Sequence, residues 1–390
     1  MKSMVLLTNI LTPYRVHFYD AIEKVCCNKG IRFHVLVMSK TEENRNWTYA
    51  DYARSYTILL KGKRIKVGNV CININEIKSI LKELNPEFVI AAGSYIHPTI
   101  WELLWLKKKL GYKTFFWSES HLNTVRNYSA LKIKVRDFIR KKIYSSFDGF
   151  FYAGKLSLEF IEKYCSNTAK MIFLPNLIDD AYYAKSVCNE QNKKELLDKW
   201  KIEKDEKVYI CPVRLSTDKG IIPFFDLLKE TTTKHPYTVV IAGDGYQKQE
   251  IETYIQKAQL NVKMVGYQQQ DAIRELYQLS DGFILPSIVD PNPLTCVEAL
   301  WSKLPLLVSE HVGNNPEVVE NGVNGFVFSY TNKDESIHLI EQFIDADDEW
   351  MENAKEVSYK IANKSYCSER ETQRIIQEII EYVESAKECE

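Results

Sequence analysis

Short apolar runs rich in β-branched residues alternate with helix-length amphipathic segments along nearly the whole chain, in two successive series. Strand candidates of the first series are residues 5–7, 33–37, 88–91, 113–117, 149–152 and 171–174. Those of the second series are residues 208–211, 238–242, 262–265, 282–285, 306–308 and 326–328. Helix-length segments between strands include residues 16–27, 75–84 and 251–258. Strands that alternate with helices indicate βαβ units and parallel sheets covered on both faces.

Two series of this kind predict two domains, because 390 residues are too many for one ordinary core. The predicted fold class is α/β, with two doubly wound, Rossmann-like domains that face each other across a cleft. We predict a first domain over residues 1–175, a second over 176–366 and a terminal helix over 367–390, since the first series ends in the turn signal Pro175-Asn176. Apolar residues of the tail recur with a helical period. This terminal helix could pack on the second domain or cross back to the first, and the sequence leaves both arrangements open.

Composition excludes several classes of protein. A formal net charge of −1 argues against a dedicated nucleic-acid binder. Nine scattered cysteines without Cys-x-x-Cys spacing are typical of reduced cytosolic thiols, and not of disulfides or a zinc site. No apolar run approaches the ~18 residues that span a bilayer, and the N-terminal apolar stretch is too short for a signal peptide. The sequence predicts a cytoplasmic protein. The basic amphipathic stretch 131–144 is either a peripheral contact with the inner membrane face or a core helix with a charged outer side.

Two cations follow a strand of the second series. Arg214 and Lys219 come just after the strand candidate 208–211, and parallel α/β sheets bind ligands beyond the carboxyl ends of their strands. A planar guanidinium binds a diphosphate bidentately, and a mobile ammonium binds it as a point charge. The pair predicts a diphosphate site, with a solvated turn that carries two surface cations as the alternative.

Two acids, Asp290 and Glu298, stand eight positions apart. A helix that begins at Pro293 would put Glu298 on an apolar stripe. A carboxylate there costs several kcal/mol unless it is paired or hydrogen-bonded, and two ribose hydroxyls would satisfy it. A structural ion pair is the alternative. Asp290 is placed to bond hydroxyls of a transferred sugar, or to form a turn before the helix. The helix N-terminus also favours phosphate.

Two further patterns are weaker. Gly243-Asp244-Gly245 ends another strand candidate, but the chain lacks the full Gly-x-Gly-x-x-Gly fingerprint. The absence of this fingerprint argues against the interpretation of the chain as a nicotinamide dehydrogenase. Asp345-Ala-Asp347 has the spacing of a metal-binding Asp-x-Asp motif, but it lies in an acidic run and is predicted to be a solvated loop.

In order and spacing, these motifs resemble the retaining, family-4 (group 1) glycosyltransferases of GT-B fold. The resemblance covers nearly all of the chain and is strongest from about residue 207 to 328. The family's Arg and Lys before a Gly match Arg214, Lys219 and Gly220, and its two acids match Asp290 and Glu298. Further landmarks are Gly243-Asp244-Gly245, the pattern over 276–286, Pro316-Glu317-Val318 and Asn324-Gly325.

The resemblance implies transfer from a nucleoside-diphosphate sugar, of UDP or GDP type, with retention, no cofactor and no metal. It implies catalytic roles for Arg214, Lys219, Asp290 and a sugar-contacting His121. Donor-binding residues implied in this way are Arg214, Lys219, Gly243, Asp244, Tyr267, Asn292, Pro293, Leu294, Thr295 and Glu298. Acceptor-binding residues would be Tyr14, Arg15 and His17. The acceptor would be a glycan or a lipid-linked sugar of surface polysaccharide assembly, and the sugar a hexose.

The chain departs from the family pattern at four points. One is the context Ser118-Glu119-Ser120 before His121, so a core or supporting histidine is the alternative for that residue. Asp290 is one methylene shorter than the usual Glu, and Pro293 stands where the family has a glycine, which removes a backbone donor. The Gly-rich first loop is replaced by residues 12–17. These departures leave donor sugar and acceptor open. Two other functions also remain: a GT-B sugar-nucleotide epimerase, which needs no acceptor, and a nucleotide-binding scaffold of a glycan-assembly complex.

Overall fold

The computed structural model describes residues 1–42, 48–68, 70–122, 129–166, 168–184 and 190–388. The strands are β1 (Ser3–Thr8), β2 (Arg32–Val37), β3 (Thr57–Leu59), β4 (Gly62–Val67), β5 (Val70–Asn75), β6 (Phe88–Ala92), β7 (Lys113–Ser118), β8 (Gly149–Tyr152), β9 (Lys170–Phe173), β10 (Lys207–Pro212), β11 (Tyr237–Ala242), β12 (Val262–Gly266), β13 (Gly282–Leu285), β14 (Leu306–Ser309) and β15 (Gly325–Phe328).

The helices are α1 (Pro13–Asn28), α2 (Tyr49–Tyr52), α3 (Lys78–Leu84), α4 (Pro98–Leu110), α5 (Ala130–Tyr144), α6 (Lys155–Glu162), α7 (Asp180–Ala184), α8 (Glu190–Trp200), α9 (Ile221–Leu228), α10 (Lys248–Ala258), α11 (Gln270–Leu279), α12 (Leu294–Trp301), α13 (Asn315–Val318), α14 (Lys333–Ile344), α15 (Asp348–Ser365) and α16 (Ser368–Glu388). A 3₁₀ turn spans Thr217–Lys219. Within the described ranges, no helix is long and apolar enough to cross a membrane.

The strands form two parallel sheets and one separate antiparallel hairpin. The first sheet has the order β3-β2-β1-β6-β7-β8-β9, and the second has the order β12-β11-β10-β13-β14-β15. In the first sheet β1 pairs with β2 and β6, and in the second β10 pairs with β11 and β13. The strand order reverses beside each of these central strands, which creates the switch point where α/β proteins bind ligands. The predicted α/β class with two doubly wound sheets is confirmed.

Four elements of the first half differ from the prediction. Strand β3 is only three residues long and was not predicted. The β4–β5 hairpin was not predicted either, because β4 has two apolar residues among Gly, Lys and Arg and is exposed along its whole length. The helix expected over residues 75–84 begins at Lys78. Asn75 instead ends β5, where its buried amide donates to the carbonyl of Met38 at 2.9 Å.

The last helix, α16, packs against α1 in the first half of the chain. In α16, Ile375, Ile376, Ile379 and Val383 are buried in the same apolar cluster as the buried face of α1. Their spacing puts them on one side of the helix. The guanidinium of Arg374 also donates to the carbonyl of Phe173, at the end of β9, at 2.6 Å. The chain therefore returns to its first half after the second sheet is complete.

Two polar contacts join the turn at Asn176 and the start of α6 to loops of the second half. The amide of Asn176 donates to the carbonyl of Asn292 at 2.9 Å. The backbone N–H of Lys155, at the start of α6, donates to the carboxylate of Glu317 at 2.6 Å. Glu317 thus caps a helix of the other half, because a carboxylate is stabilised by the free N–H groups of a helix N-terminus. Burial raises the pKa of Glu317, and these N–H donors oppose that shift.

Candidate functional site

Arg214 is exposed directly after β10, at the switch point of the second sheet. Among the described residues its guanidinium has no hydrogen-bond or ion-pair partner. The chain then forms the turn Thr217–Lys219 and enters α9 through Gly220, which has a left-handed φ of 64°. A Cβ on Gly220 would lie 2.1 Å from the carbonyl oxygen of Pro286. Glycine is required here because both the backbone angle and the close approach exclude a side chain.

Lys219 and Asp290 come together from loops that follow β10 and β13. The Lys219 ammonium lies 2.6 Å from Oδ2 of Asp290, and both side chains are about 15% exposed. The hydroxyl of Ser287 donates to the same carboxylate oxygen at 3.3 Å. The structure therefore leaves Arg214 available to a ligand and holds Lys219 in a pair with the first of the two predicted acids.

Helix α12 begins at Leu294 and not at Pro293. Pro293 has a ψ of 127°, so it is the residue before the helix. Glu298 lies one turn further on and is partly buried. Its Oε2 accepts a hydrogen bond from the hydroxyl of Tyr277 at 2.9 Å, and Tyr183 also bonds to it.

The described neighbours of Glu298 bear on the two interpretations of this carboxylate. Among the described residues Glu298 is bonded by two tyrosine hydroxyls and forms no ion pair. Burial raises the pKa of Glu298, and the two tyrosine hydroxyls lower it. An ionised carboxylate has about four acceptor positions, so it retains room for further hydroxyl donors. No sequence pattern indicates that Tyr183 is a partner of Glu298. Tyr277 lies within the 276–286 pattern that the sequence analysis identified, but no role was predicted for it.

The glycines after β11 are explained by packing between loops. A Cβ on Gly243 would lie 1.7 Å from the carbonyl oxygen of Val213, and one on Gly245 would lie 2.2 Å from that of Leu215. The β10 loop that carries Arg214 is thus pressed against this turn. Asp244 is exposed, and its side chain accepts from the N–H of Gly245 at 2.8 Å. Glycine at these two positions lets the loop that carries Arg214 pack closely against the turn after β11. This packing explains the glycines without a ligand.

The other predicted donor-side residues follow β12 or lie at the start of α12. Tyr267 is 64% exposed and directly follows β12. The carbonyl of Pro293 accepts from the buried amide of Asn314 at 3.1 Å, and that of Thr295 accepts from Tyr277 at 3.2 Å. Asn292 has a buried side-chain nitrogen without a partner in the described part of the protein. This nitrogen is an unused donor at the start of α12.

The first-domain residues meet at the carboxyl ends of β1 and β7. Tyr14, Arg15 and His17 lie in the first turns of α1. Arg15 pairs with Glu119 at 3.1 Å and lies 4.3 Å from the ring centre of Trp117. Arg15 is therefore held by its own domain, in contrast to Arg214.

His121 is 3% exposed and lies against a loop of the second domain. A Cβ on Gly313 would lie 3.0 Å from Cδ2 of His121, and the N–H of Gly313 donates to the carbonyl of Asp290 at 2.8 Å. The structure thus brings His121 close to the loop that carries Asp290. Sequence reasoning did not identify Gly313, which allows this approach.

The acidic Asp-x-Asp segment has structural partners. Asp345 accepts from the N–H groups of Lys234 and His235 at 2.8 and 3.2 Å. Asp347 caps α15 by accepting from the N–H of Trp350 at 2.8 Å. Among the described residues, no three His, Cys, Asp or Glu side chains are grouped so as to hold a metal ion. The segment joins neighbouring loops and helices.

The second half of the chain matches a known family. Residues 192–361 match the model of glycosyl transferases group 1. Over 172 residues the chain is 30% identical to the alpha-monoglucosyldiacylglycerol synthase of Acholeplasma laidlawii. This match covers 43% of this chain and 42% of that protein. Over 183 residues it is 26% identical to an Escherichia coli UDP-Gal:alpha-D-GlcNAc-diphosphoundecaprenol alpha-1,3-galactosyltransferase. That match covers 45% of this chain and 46% of that protein. The matched region thus spans less than half of either relative.

The whole fold has solved counterparts. The structure of HepE from Anabaena, determined in complex with UDP, superposes with a TM-score of 0.75 at 16% identity, over 98% of this chain and all of that one. The fold is GT-B. This similarity extends over both sheets and the returning helix α16, whereas the family model covers the second half alone.

Proposed function

We propose that this protein is a glycosyltransferase that moves a hexose-type sugar from a nucleoside-diphosphate sugar to a glycan or lipid-linked sugar, with retention at the anomeric carbon. Surface polysaccharide or glycolipid assembly is the proposed setting. The observation that carries the proposal is the exposed Arg214 guanidinium, which has no partner among the described residues and lies in the same loop as Lys219, the partner of Asp290. The match to the group 1 family over residues 192–361 supports it.

In the proposed reaction the acceptor hydroxyl attacks the anomeric carbon, and the bond from that carbon to the diphosphate oxygen breaks. Negative charge develops on the leaving diphosphate. Arg214 and Lys219 stabilise this charge, because fixed cations in a partly dehydrated site lower the energy of the transition state. The acceptor proton passes to the leaving phosphate oxygen on the same face, so no protein nucleophile is required. The metal-independent character is part of the proposal.

The remaining residues orient the two substrates. Glu298, held by Tyr277 and Tyr183, accepts hydrogen bonds from ribose hydroxyls. Asp290 exchanges its Lys219 partner in part for hydroxyls of the sugar, and the spare amide of Asn292 donates to the same group. His121 lines the acceptor side near Gly313. We also propose a UDP or GDP donor, since HepE was solved with UDP.

Thermal shift against UDP, GDP, ADP and their sugar conjugates tests the donor site. A ligand at 100 times its dissociation constant stabilises the native state by about 2.7 kcal/mol. We expect one nucleotide base to be selected and the shift to be lost in Glu298→Ala. Glu252→Ala, an exposed acid on α10, is the matched control and should retain the shift.

Each other outcome has a definite meaning. No shift with any nucleotide would contradict the proposed donor site. A shift that survives in Glu298→Ala would remove the ribose role of this residue. Turnover of the sugar nucleotide without any acceptor would favour the epimerase, and binding without turnover in the presence of glycan acceptors would favour the scaffold.

A further inference from the structure

Exposed large apolar side chains are concentrated on the first domain. Of the thirteen in the described part of the chain, ten precede residue 140. They come from the β4–β5 hairpin, from α4, from the start of the loop after His121 and from α5. Soluble proteins rarely leave such side chains grouped, and a group of this kind marks an interaction surface.

Helix α5 presents an apolar stripe to solvent. Leu131 and Phe138 are 74% and 73% exposed, and Val135 is 51% exposed. Their spacing of four and then three residues puts all three on one side of the helix. The opposite side carries Arg140, which is buried and stacks over the rings of Phe160 and Tyr164. The same side carries Tyr144, which is buried in the core of the first domain. The helix is therefore held to its domain by a mixed polar and aromatic side and turns an apolar stripe outward.

A core helix with a charged outer side, the alternative for residues 131–144, does not account for the exposed Leu131, Val135 and Phe138. Lys134 and Lys141 flank the apolar stripe on one side, Lys132 flanks it on the other, and Lys142 continues it toward the C-terminus. An apolar stripe bordered by lysines is the pattern of helices that lie in the membrane interface.

Helix α4 extends this surface. A groove of about 550 Å³ runs between the two helices, lined by Tyr95, Trp101, Leu131, Lys132, Val135 and Ile139 among others. Trp101 and Trp105 are half-exposed on α4, and the ammonium of Lys109 lies 3.6 Å from the ring centre of Trp105. Tryptophan and lysine together are enriched at the level of lipid headgroups. We call the exposed faces of α4 and α5 with this groove the α4–α5 surface.

Charge is divided unequally between the halves of the chain. Residues 1–175 contain 28 Lys and Arg against 14 Asp and Glu, whereas residues 176–390 contain 23 against 38. The net charge of −1 thus conceals a strongly basic first half. Basic residues near an anionic membrane surface are attracted to it.

We propose that the α4–α5 surface docks on a lipid bilayer that contains anionic lipids. Leu131, Val135 and Phe138 enter the boundary between headgroups and acyl chains, and the surrounding lysines bind lipid phosphates. A second copy of this chain is a poorer occupant, because a symmetric contact would bring the same lysines against each other. The docking does not depend on the proposed transfer reaction.

Flotation of the full chain with vesicles tests this proposal. We compare vesicles of phosphatidylcholine alone with vesicles that also contain phosphatidylglycerol. Binding should occur to the anionic vesicles, fall as salt is raised and be lost in Leu131→Ser/Phe138→Ser. Lys141→Gln/Lys142→Gln should bind about 25-fold more weakly, since a basic residue contributes roughly 1 kcal/mol and 1.4 kcal/mol is tenfold.

Matched controls lie in the second domain. Val323→Ser replaces an exposed apolar residue, and Lys248→Gln/Lys257→Gln removes two exposed lysines of α10. Both should bind vesicles like the unchanged protein. All substituted side chains are exposed, so unchanged thermal unfolding should accompany each variant.

Three results would overturn the proposal. The first is no flotation with phosphatidylglycerol vesicles. The second is flotation that is equal in the α5 variants and the controls. The third is self-association without lipid that the same α5 variants abolish, measured by sedimentation equilibrium, which would assign the surface to a second copy. Nucleotide thermal shifts measured on the same variants keep this test separate from that of the donor site.

Discussion

The two domains use an arginine that follows the central strand of their sheet in opposite ways. In the second domain Arg214 is exposed and has no partner among the described residues, whereas Lys219 of the same loop is mostly buried and paired with Asp290. In the first domain Arg15 is bound to Glu119 and stacked over Trp117. The same sheet topology thus leaves one guanidinium for a ligand and uses the other to hold two strand ends together.

The halves also differ in what they share with other proteins. Residues 192–361 match a family model, and this half holds the acids, cations and glycines of the candidate site. The first half contributes the basic, apolar α4–α5 surface. The family match therefore covers the half with the candidate site and not the half with the α4–α5 surface. The following predictions would break or sharpen that contrast.

Arg214→Ala should have the largest effect. Removing one fixed donor to developing charge costs roughly 10²–10³ in turnover, and we expect nucleotide affinity to fall less. The measurement is the rate of nucleoside-diphosphate release with the donor selected by thermal shift. Arg214→Lys should recover part of the rate, since the charge remains without bidentate geometry. An unchanged rate in Arg214→Ala would remove the central assignment.

Ile376→Ala tests whether α16 is part of the first domain's core. Deleting a buried isoleucine side chain costs about 2–5 kcal/mol, because Ile376 is fully buried. Thermal unfolding should shift downward while the nucleotide-induced shift persists. Ile380→Ala, on a partly buried position of the same helix, is the control with a smaller loss. Equal losses in the two variants would contradict this packing.

Arg15→Ala should reduce stability rather than chemistry. It leaves Glu119 without its cation and uncovers Trp117, which we expect to cost about 1–2 kcal/mol, as partly buried pairs and cation–π contacts do. The comparison with Arg214→Ala is direct, since that variant should unfold like the unchanged protein. A loss of turnover in Arg15→Ala without a loss of stability would instead support the predicted acceptor role of Arg15.

Glu298→Gln should change the pH dependence of stability, with the smallest effect of the four. Burial holds the pKa of Glu298 above its ordinary value of 4.5, so the native state binds its proton more tightly than the unfolded state. Stability from this group is therefore present below pH 4.5 and is lost as pH rises through the native pKa. The unfolding midpoint should fall over that window more in the unchanged protein than in Glu298→Gln. Parallel profiles would contradict the shift.

Much of the fold could be predicted from the pattern of apolar and polar residues. The alternation of buried strands with amphipathic helices predicted both sheets, because parallel strands covered on both faces are apolar throughout. The hairpin β4–β5 was missed because its exposed, Lys-rich first strand has no buried face. The start of α12 was one residue off, since proline is compatible with both the residue before a helix and its first turn.

The sequence by itself determined the α/β class and the order of cations and acids along the second half, because periodicity and spacing are local properties. Only the tertiary structure decided what each side chain meets. It joined Lys219 to Asp290, gave Glu298 two tyrosine partners and brought His121 to Gly313. It also turned the apolar side of α5 outward. These outcomes depend on contacts between residues far apart in the chain, and hydrophobic periodicity states that a helix has an apolar side without stating what covers it.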